Sequence, residues 1–118
     1  MKIAVSSFGP NLTSQVSPRV KGCHYLLIVD PATMRLEVFD NRGGDQENGD
    51  GRQAVRFMVS NKVNALITGR CRRDTFQSLT DAGIYVYLKQ SGTVKEVLGK
   101  YTQGMLRRAK RPPAQKGS

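Results

Sequence analysis

Apolar and polar positions along the chain sort into two periods, and these predict the elements. Residues 2–7, KIAVSS, form a short apolar strand that ends in two hydroxyls, and Phe8-Gly9-Pro10-Asn11 breaks it. The polar stretch 11–22, with Ser17-Pro18 in its middle, reads as a long loop. Residues 23–30, CHYLLIVD, carry the continuous apolar run of a buried strand, and Asp30-Pro31-Ala32-Thr33 is a turn. Residues 34–40, MRLEVFD, alternate apolar and polar, so they form a half-buried strand that pairs with the preceding one as a hairpin. Residues 41–51, NRGGDQENGDG, have no apolar side chain and predict a mobile loop.

From Gly51 the period changes. Ala54, Val55, Met58 and Val59 recur at helical spacing through RQAVRFMVSN, with Asp50 as a candidate cap. Residues 63–68 form a strand closed by Gly69. A second helix opens at Asp74, its predicted N-cap, turns Phe76, Leu79 and Ala82 inward, and stops at Ala82-Gly83. Residues 84–87 are another strand. Thr93 caps a third helix through VKEVLG, and a last helical piece is predicted over 102–109. Strands alternating with helices in the second half imply parallel pairing with crossover helices, and the hairpin adds an antiparallel edge. The expectation is one α/β domain over residues 1–109, followed by a basic, disordered tail at 110–118. No internal repeat is present.

Charge sharpens this picture. Nineteen Lys and Arg against nine Asp and Glu give a net +10. Residues 100–118 hold six of the basic side chains (Lys100, Arg107, Arg108, Lys110, Arg111, Lys116) and no acid, which leaves a net +4 on the first 99. Such a chain favours anionic partners. No stretch approaches the roughly 18 apolar residues of a membrane span, and the N-terminus opens into a strand in place of a signal peptide, so a cytoplasmic location is expected. Two cysteines, Cys23 and Cys71, and a single histidine, His24, cannot close a four-ligand zinc site by themselves.

In an open α/β sheet, ligands bind beyond the carboxyl ends of the parallel strands, where helix N-termini offer free N–H groups. Ser6-Ser7, the glycine loop before residue 51 and Thr68-Gly69-Arg70-Cys71-Arg72-Arg73 should converge there, and the loop before the second strand adds Arg19, Lys21, Cys23 and His24. Blander readings stand beside this one: buried cysteines, a packed or solvated imidazole, and a solvated RCRR turn. Three arginines within four residues, directly after a buried strand and Gly69, favour the cleft. Catalysis has little support. There is no Ser-His-Asp spacing, no carboxylate pair flanking an apolar pocket, and no GxxxxGK[ST] or GxGxxG loop. The charge would give salt-sensitive affinity for phosphate backbone, but no RNP-like, zinc-finger or helix-turn-helix pattern accompanies it, so nucleic acid is not the expected partner.

MKIAVSS, L-x-S-x-V-S-P-R (Leu12 to Arg19), Cys23 followed by Y-x-L-I-V-D, VNALITG (63–69), Phe76, LTDAGIYVY (79–87) and SGTVKEVL (91–98) together resemble the dinitrogenase iron–molybdenum cofactor biosynthesis family, in order, across roughly residues 2–106. The resemblance implies an RNase H-like α/β fold and a non-catalytic protein that binds or ferries iron–molybdenum cofactor, its precursor or a related cluster. In length and basicity the chain is most similar to the orange-protein branch, which carries a molybdenum–copper sulfide cluster held without ordinary covalent ligation. Two departures matter. Arg19-Val20-Lys21-Gly22 stands where the family often reads R-F-G-R, and the position matching Arg19 can be a cofactor-binding His in nitrogenase carriers. Arg72-Arg73-Asp74 stands where many members have G-P-N. Both exchange neutral or ligating groups for positive charge, which suits an anionic cluster held by hydrogen bonds and Coulomb attraction. Taken with the rim reading, these departures make Arg19, Lys21, Gly69, Arg70, Arg72 and Arg73 the expected cluster-binding residues and Cys23, His24 and Cys71 soft or imidazole contacts to copper. A client or ATPase partner and a monomeric carrier complete the expectation. The alternative is an interaction module worked by the basic tail.

Overall fold

The computed structural model describes residues 1–20, 23–41 and 52–109. Five strands and three helices follow one another as β1 (Ile3–Ser7), β2 (Tyr25–Asp30), β3 (Arg35–Asp40), α1 (Arg52–Ser60), β4 (Ala65–Ile67), α2 (Arg73–Asp81), β5 (Tyr85–Tyr87) and α3 (Val94–Thr102). The strands form one sheet in the order β3-β2-β1-β4-β5. β2 pairs antiparallel with both β1 and β3, while β1–β4 and β4–β5 are parallel, so four strands share one direction and only β2 is reversed. This is the mixed, mostly parallel RNase H-like arrangement that the resemblance implies.

β1 lies in the middle of the sheet, which explains its unbroken apolar run: all five of its residues are buried. Alternation then splits the core by face. Ala4, Leu26, Ile28, Leu66 and Val86 meet Ala54 and Met58 of α1 and Phe76 and Leu79 of α2. On the other face Ile3, Val5, Leu27, Val29, Ala65 and Ile67 meet Val94, Val97 and Leu98 of α3. β3 is the edge strand that the hairpin predicts, but it does not bury the single apolar face its alternation implies: Met34 and Val38 are exposed, Leu36 and Phe39 are half-buried on opposite faces, and Phe39 stacks on Phe57 of α1 at 4.2 Å.

Three local expectations change. Ala82 does not face inward: it is the exposed C-cap of α2, and Gly83, at φ +82°, stops the helix. Val59 is exposed, so α1 buries a narrower stripe. The helix predicted over 102–109 does not form, because α3 itself runs to Thr102 and closes there. Gly104, at φ +73°, donates to Tyr101 C=O (3.0 Å) and Met105 N–H to Lys100 C=O (2.9 Å), the paired bonds of a left-handed glycine stop. Residues 105–109 then turn around the open edge of β5. Leu106 packs against the α3-side core, Ala109 against the opposite core, Ala109 N–H reaches Val86 C=O at 2.7 Å, and the Arg108 guanidinium lies 4.3 Å over the Tyr85 ring. Covering an edge strand this way blocks strand addition. Among the described residues no helix is long and apolar enough to cross a membrane. The predicted glycine loop beyond Asn41, the Asp50 cap and the basic tail lie outside the described residues.

Candidate functional site

The strand order reverses between β1 and β4, whose connections leave in opposite directions, so their carboxyl ends frame a crevice. The bottom of that crevice is built from hydroxyls. The buried Ser6 Oγ donates to Ser17 C=O at 2.7 Å and lies 2.7 Å from the buried Thr68 Oγ1. A hydroxyl has one proton, and Ser6 has placed its own on the carbonyl, so Thr68 is the donor within the pair. Ser17 N–H returns to Ser6 C=O at 2.8 Å. The loop 8–20 is thereby pinned across two strand ends.

Its last turn brings the predicted basic segments together. Arg70 N–H donates to Pro18 C=O at 2.8 Å, and Arg19 and Arg70 form a parallel bridge. The close approach depends on Gly69: a Cβ there would lie 2.6 Å from Pro18 O and 2.9 Å from Pro18 Cα. Arg19, Arg70, Arg72 and Arg73 are all exposed. Arg72 Nε lies 3.4 Å from Asp74 Oδ1, an exposed pair, whereas Arg19, Arg70 and Arg73 make no ion pair among the described residues. Arg72, Arg73, Asp74 and Gln77 line an open depression of about 460 Å³, which Arg19 does not border. Lys21 lies outside the described residues.

Helix ends at this rim differ in what they offer. α3 is closed by a capping box, in which Thr93 accepts from Glu96 N–H (3.1 Å) and Glu96 from Thr93 N–H (2.8 Å). Those bonds from Thr93 hold the Glu96 carboxyl below its usual range. α2 starts one residue before the predicted cap. Arg72 is its N-cap, at φ −69° and ψ 156°, with no side-chain cap bond, and Asp74 sits inside the first turn, where it accepts from Thr75 N–H at 2.9 Å. An arginine cannot accept a hydrogen bond, so this N-terminus faces the rim without a side-chain acceptor at its cap.

The soft donors are dispersed. Cys23 is buried in the core beneath α1 and α2. The next residue, His24, is exposed and meets the Phe8 ring edge-on at 6.0 Å. Cys71 is half-buried against the same core as Cys23, and burial, reinforced by the Asp74 carboxylate, pushes its thiol up to about 12. It is therefore a neutral S–H donor at physiological pH. Among the described residues no three His, Cys, Asp or Glu side chains gather to hold a metal ion. Cys23, His24 and Cys71 do not make a single ligand set.

Two rim residues escaped the sequence reading. Asn41, fully buried where β3 ends, donates Nδ2 to Cys23 C=O at 3.0 Å and approaches Cys23 Sγ at 3.7 Å, while its Oδ1 has no partner among the described residues. Lys89, after β5, donates its N–H to Gly69 C=O at 2.6 Å. Neither has a local signal: Asn41 opens a glycine-rich run, and Lys89 sits in an unremarkable KQSG.

Comparison with known proteins finds the same fold in solved structures. The apo orange protein of Desulfovibrio gigas superposes with a TM-score of 0.89 at 29% identity, over 96% of each chain. A Thermotoga protein provisionally named NifB superposes at 0.82 with 32% identity, over 97% of each chain. A Methanocaldococcus jannaschii protein provisionally named a dinitrogenase shares the fold at 0.68 with 18% identity, over 95% of this chain and 97% of that one. No curated protein matches the chain. The dinitrogenase iron-molybdenum cofactor family model matches residues 1–104. With the family model matching residues 1–104 and the whole fold superposing on the orange protein, the chain belongs to the dinitrogenase iron-molybdenum cofactor family.

Proposed function

We propose that this protein binds an anionic metal–sulfur cluster at the carboxyl rim of the sheet and carries it without catalysing a reaction. The observation that carries the reading is the Arg19–Arg70 backbone bridge beside Gly69, which joins Arg19 to the segment 70–73 that leads into the N-terminus of α2, an end with no side-chain cap. Guanidinium and backbone N–H groups are hydrogen-bond donors only, so they match sulfide and oxo ligands on a cluster's surface and not a bare cation. Arg19, Arg70, Arg72 and Arg73 supply charge, with Lys21 as a further candidate. Gly69 permits the approach, and the neutral Cys71 thiol adds a donor without repelling the anion. Cys23 and His24 are the remaining soft contacts.

Within that class a molybdenum–copper sulfide cluster is the proposed cargo, supported by the similarity to the orange protein and by the surplus of arginine. The family description favours iron–molybdenum cofactor, or its precursor, as the second reading. Anaerobic calorimetry with tetrathiomolybdate plus copper(I) tests the first. Arg72→Ala/Arg73→Ala should weaken binding by roughly tenfold or more; affinity equal to wild type would move the site elsewhere. Deleting residues 110–118 separates a carrier, which keeps its cluster, from a module worked by the tail. The deletion must start after Ala109, because Arg108 and Ala109 belong to the folded edge.

A further inference from the structure

Lys89 holds a backbone conformation that its side chain does not favour. Its φ is +64°, in the left-handed region where a Cβ crowds the following carbonyl. The same loop uses glycine at its other positive-φ position, Gly92 (φ +103°), and glycine also serves at Gly83 and Gly104. Among the described residues two others with a side chain share this conformation, and both lie at the far end of the sheet. Met34 belongs to the β2–β3 turn, and Lys62 follows α1, where a cation complements the helix's negative end. Lys89 has no helix C-terminus beside it and no ion pair among the described residues.

The surroundings impose the conformation. Lys89 N–H donates to Gly69 C=O at 2.6 Å, Gln90 N–H to Thr68 C=O at 3.2 Å, and Gln90 Nε2 to Leu88 C=O at 3.0 Å. Gly69 is also the residue over which Pro18 passes, so three backbone segments are laced at one point, each with an exposed cation: Arg19, Arg70 and Lys89. Strain of this kind persists where neighbours over-determine it and clusters at functional sites.

We propose that Lys89 is a further binding residue of the rim, a third backbone segment's contribution of positive charge to the anionic cluster. The inference rests on the function proposed above and adds a residue that neither motif nor local pattern marks. Its signature is opposed effects. Lys89→Gly removes the charge and relieves the backbone, so the melting temperature should hold or rise by a few degrees while affinity for tetrathiomolybdate plus copper(I) falls roughly three- to tenfold. Lys89→Asn, which tolerates the same φ, should lose affinity equally, and Lys89→Arg should retain it. The full chain is titrated anaerobically at two salt concentrations, and the neutral variants should show the shallower salt dependence. Wild-type affinity in Lys89→Gly, with Arg72→Ala/Arg73→Ala impaired, would overturn the role of Lys89 and leave the rim intact. A wild-type chain that does not bind the probe would overturn the rim itself.

Discussion

Gly69→Ala tests the rim's construction most directly, because one atom is involved twice. Pro18 O is the atom an added Cβ would strike, at 2.6 Å, and it is also the acceptor of Arg70 N–H at 2.8 Å. An ordinary carbon–oxygen contact is about 3.3 Å, so the two backbones must part by roughly 0.7 Å. A separation of that size takes the hydrogen bond to about 3.5 Å, past its useful range. Losing the bond costs about 1 kcal/mol and overpacking another 1–3 kcal/mol, about 2–4 kcal/mol in all. For a domain of this size that is a fall in melting temperature of roughly 10 °C, readable by circular dichroism. Anion affinity should fall with it, since the Arg19–Arg70 bridge is what the insertion opens. Gly83→Ala is the control. Its φ is +82° with nothing within 4 Å of the added methyl, so strain alone should cost about 1 kcal/mol, at the far end of the sheet, with anion binding unchanged. A Gly69→Ala protein that melts within 2 °C of wild type and binds normally would refute the close approach and the site drawn from it.

Two further outcomes follow from single side chains. Gly99 lies inside α3 with ordinary helical neighbours and open space around its Cβ position, so Gly99→Ala should stabilise the protein by about 0.5–1 kcal/mol, and a lower denaturation midpoint would contradict that. Cys71 should make stability fall in alkali. Its folded thiol is raised from 9.0 to about 12, so the neutral form's advantage is whole below pH 9 and is lost as pH climbs from 9 towards 12, at about 1.4 kcal/mol per unit. Cys71→Ala should flatten the slope of the denaturation midpoint between pH 9 and 11 relative to wild type; parallel slopes would show that the thiol is not buried.

The local pattern alone determined most of the elements. The apolar run of β1 and the alternation of β3 marked both as strands, and the hairpin set β3 at an edge, but period alone did not show that β3 half-buries Leu36 and Phe39 on opposite faces and leaves Val38 exposed. Thr93 and Gly83 marked helix ends because capping is a matter of three or four adjacent residues. Where a competing local signal existed, the pattern misled: the basic, apolar stretch after 102 reads as helix until Gly104 closes α3 and the β5 edge draws the chain across it. Asp74 likewise looks like a cap, although the helix begins one residue earlier at Arg73.

The site belonged to the other category. RCRR and Arg19 were legible as charge, but only the sheet order, which seats β4 beside β1, brings residue 70 to residue 19 across 51 positions of chain. Asn41 and Lys89 carry no local mark because their roles come from what lies opposite them: Cys23 in one case, the Gly69 carbonyl in the other. Short-range periodicity is written into every turn of a chain, while the contents of a crevice are set by which strands pair, and that is a property of the whole sheet.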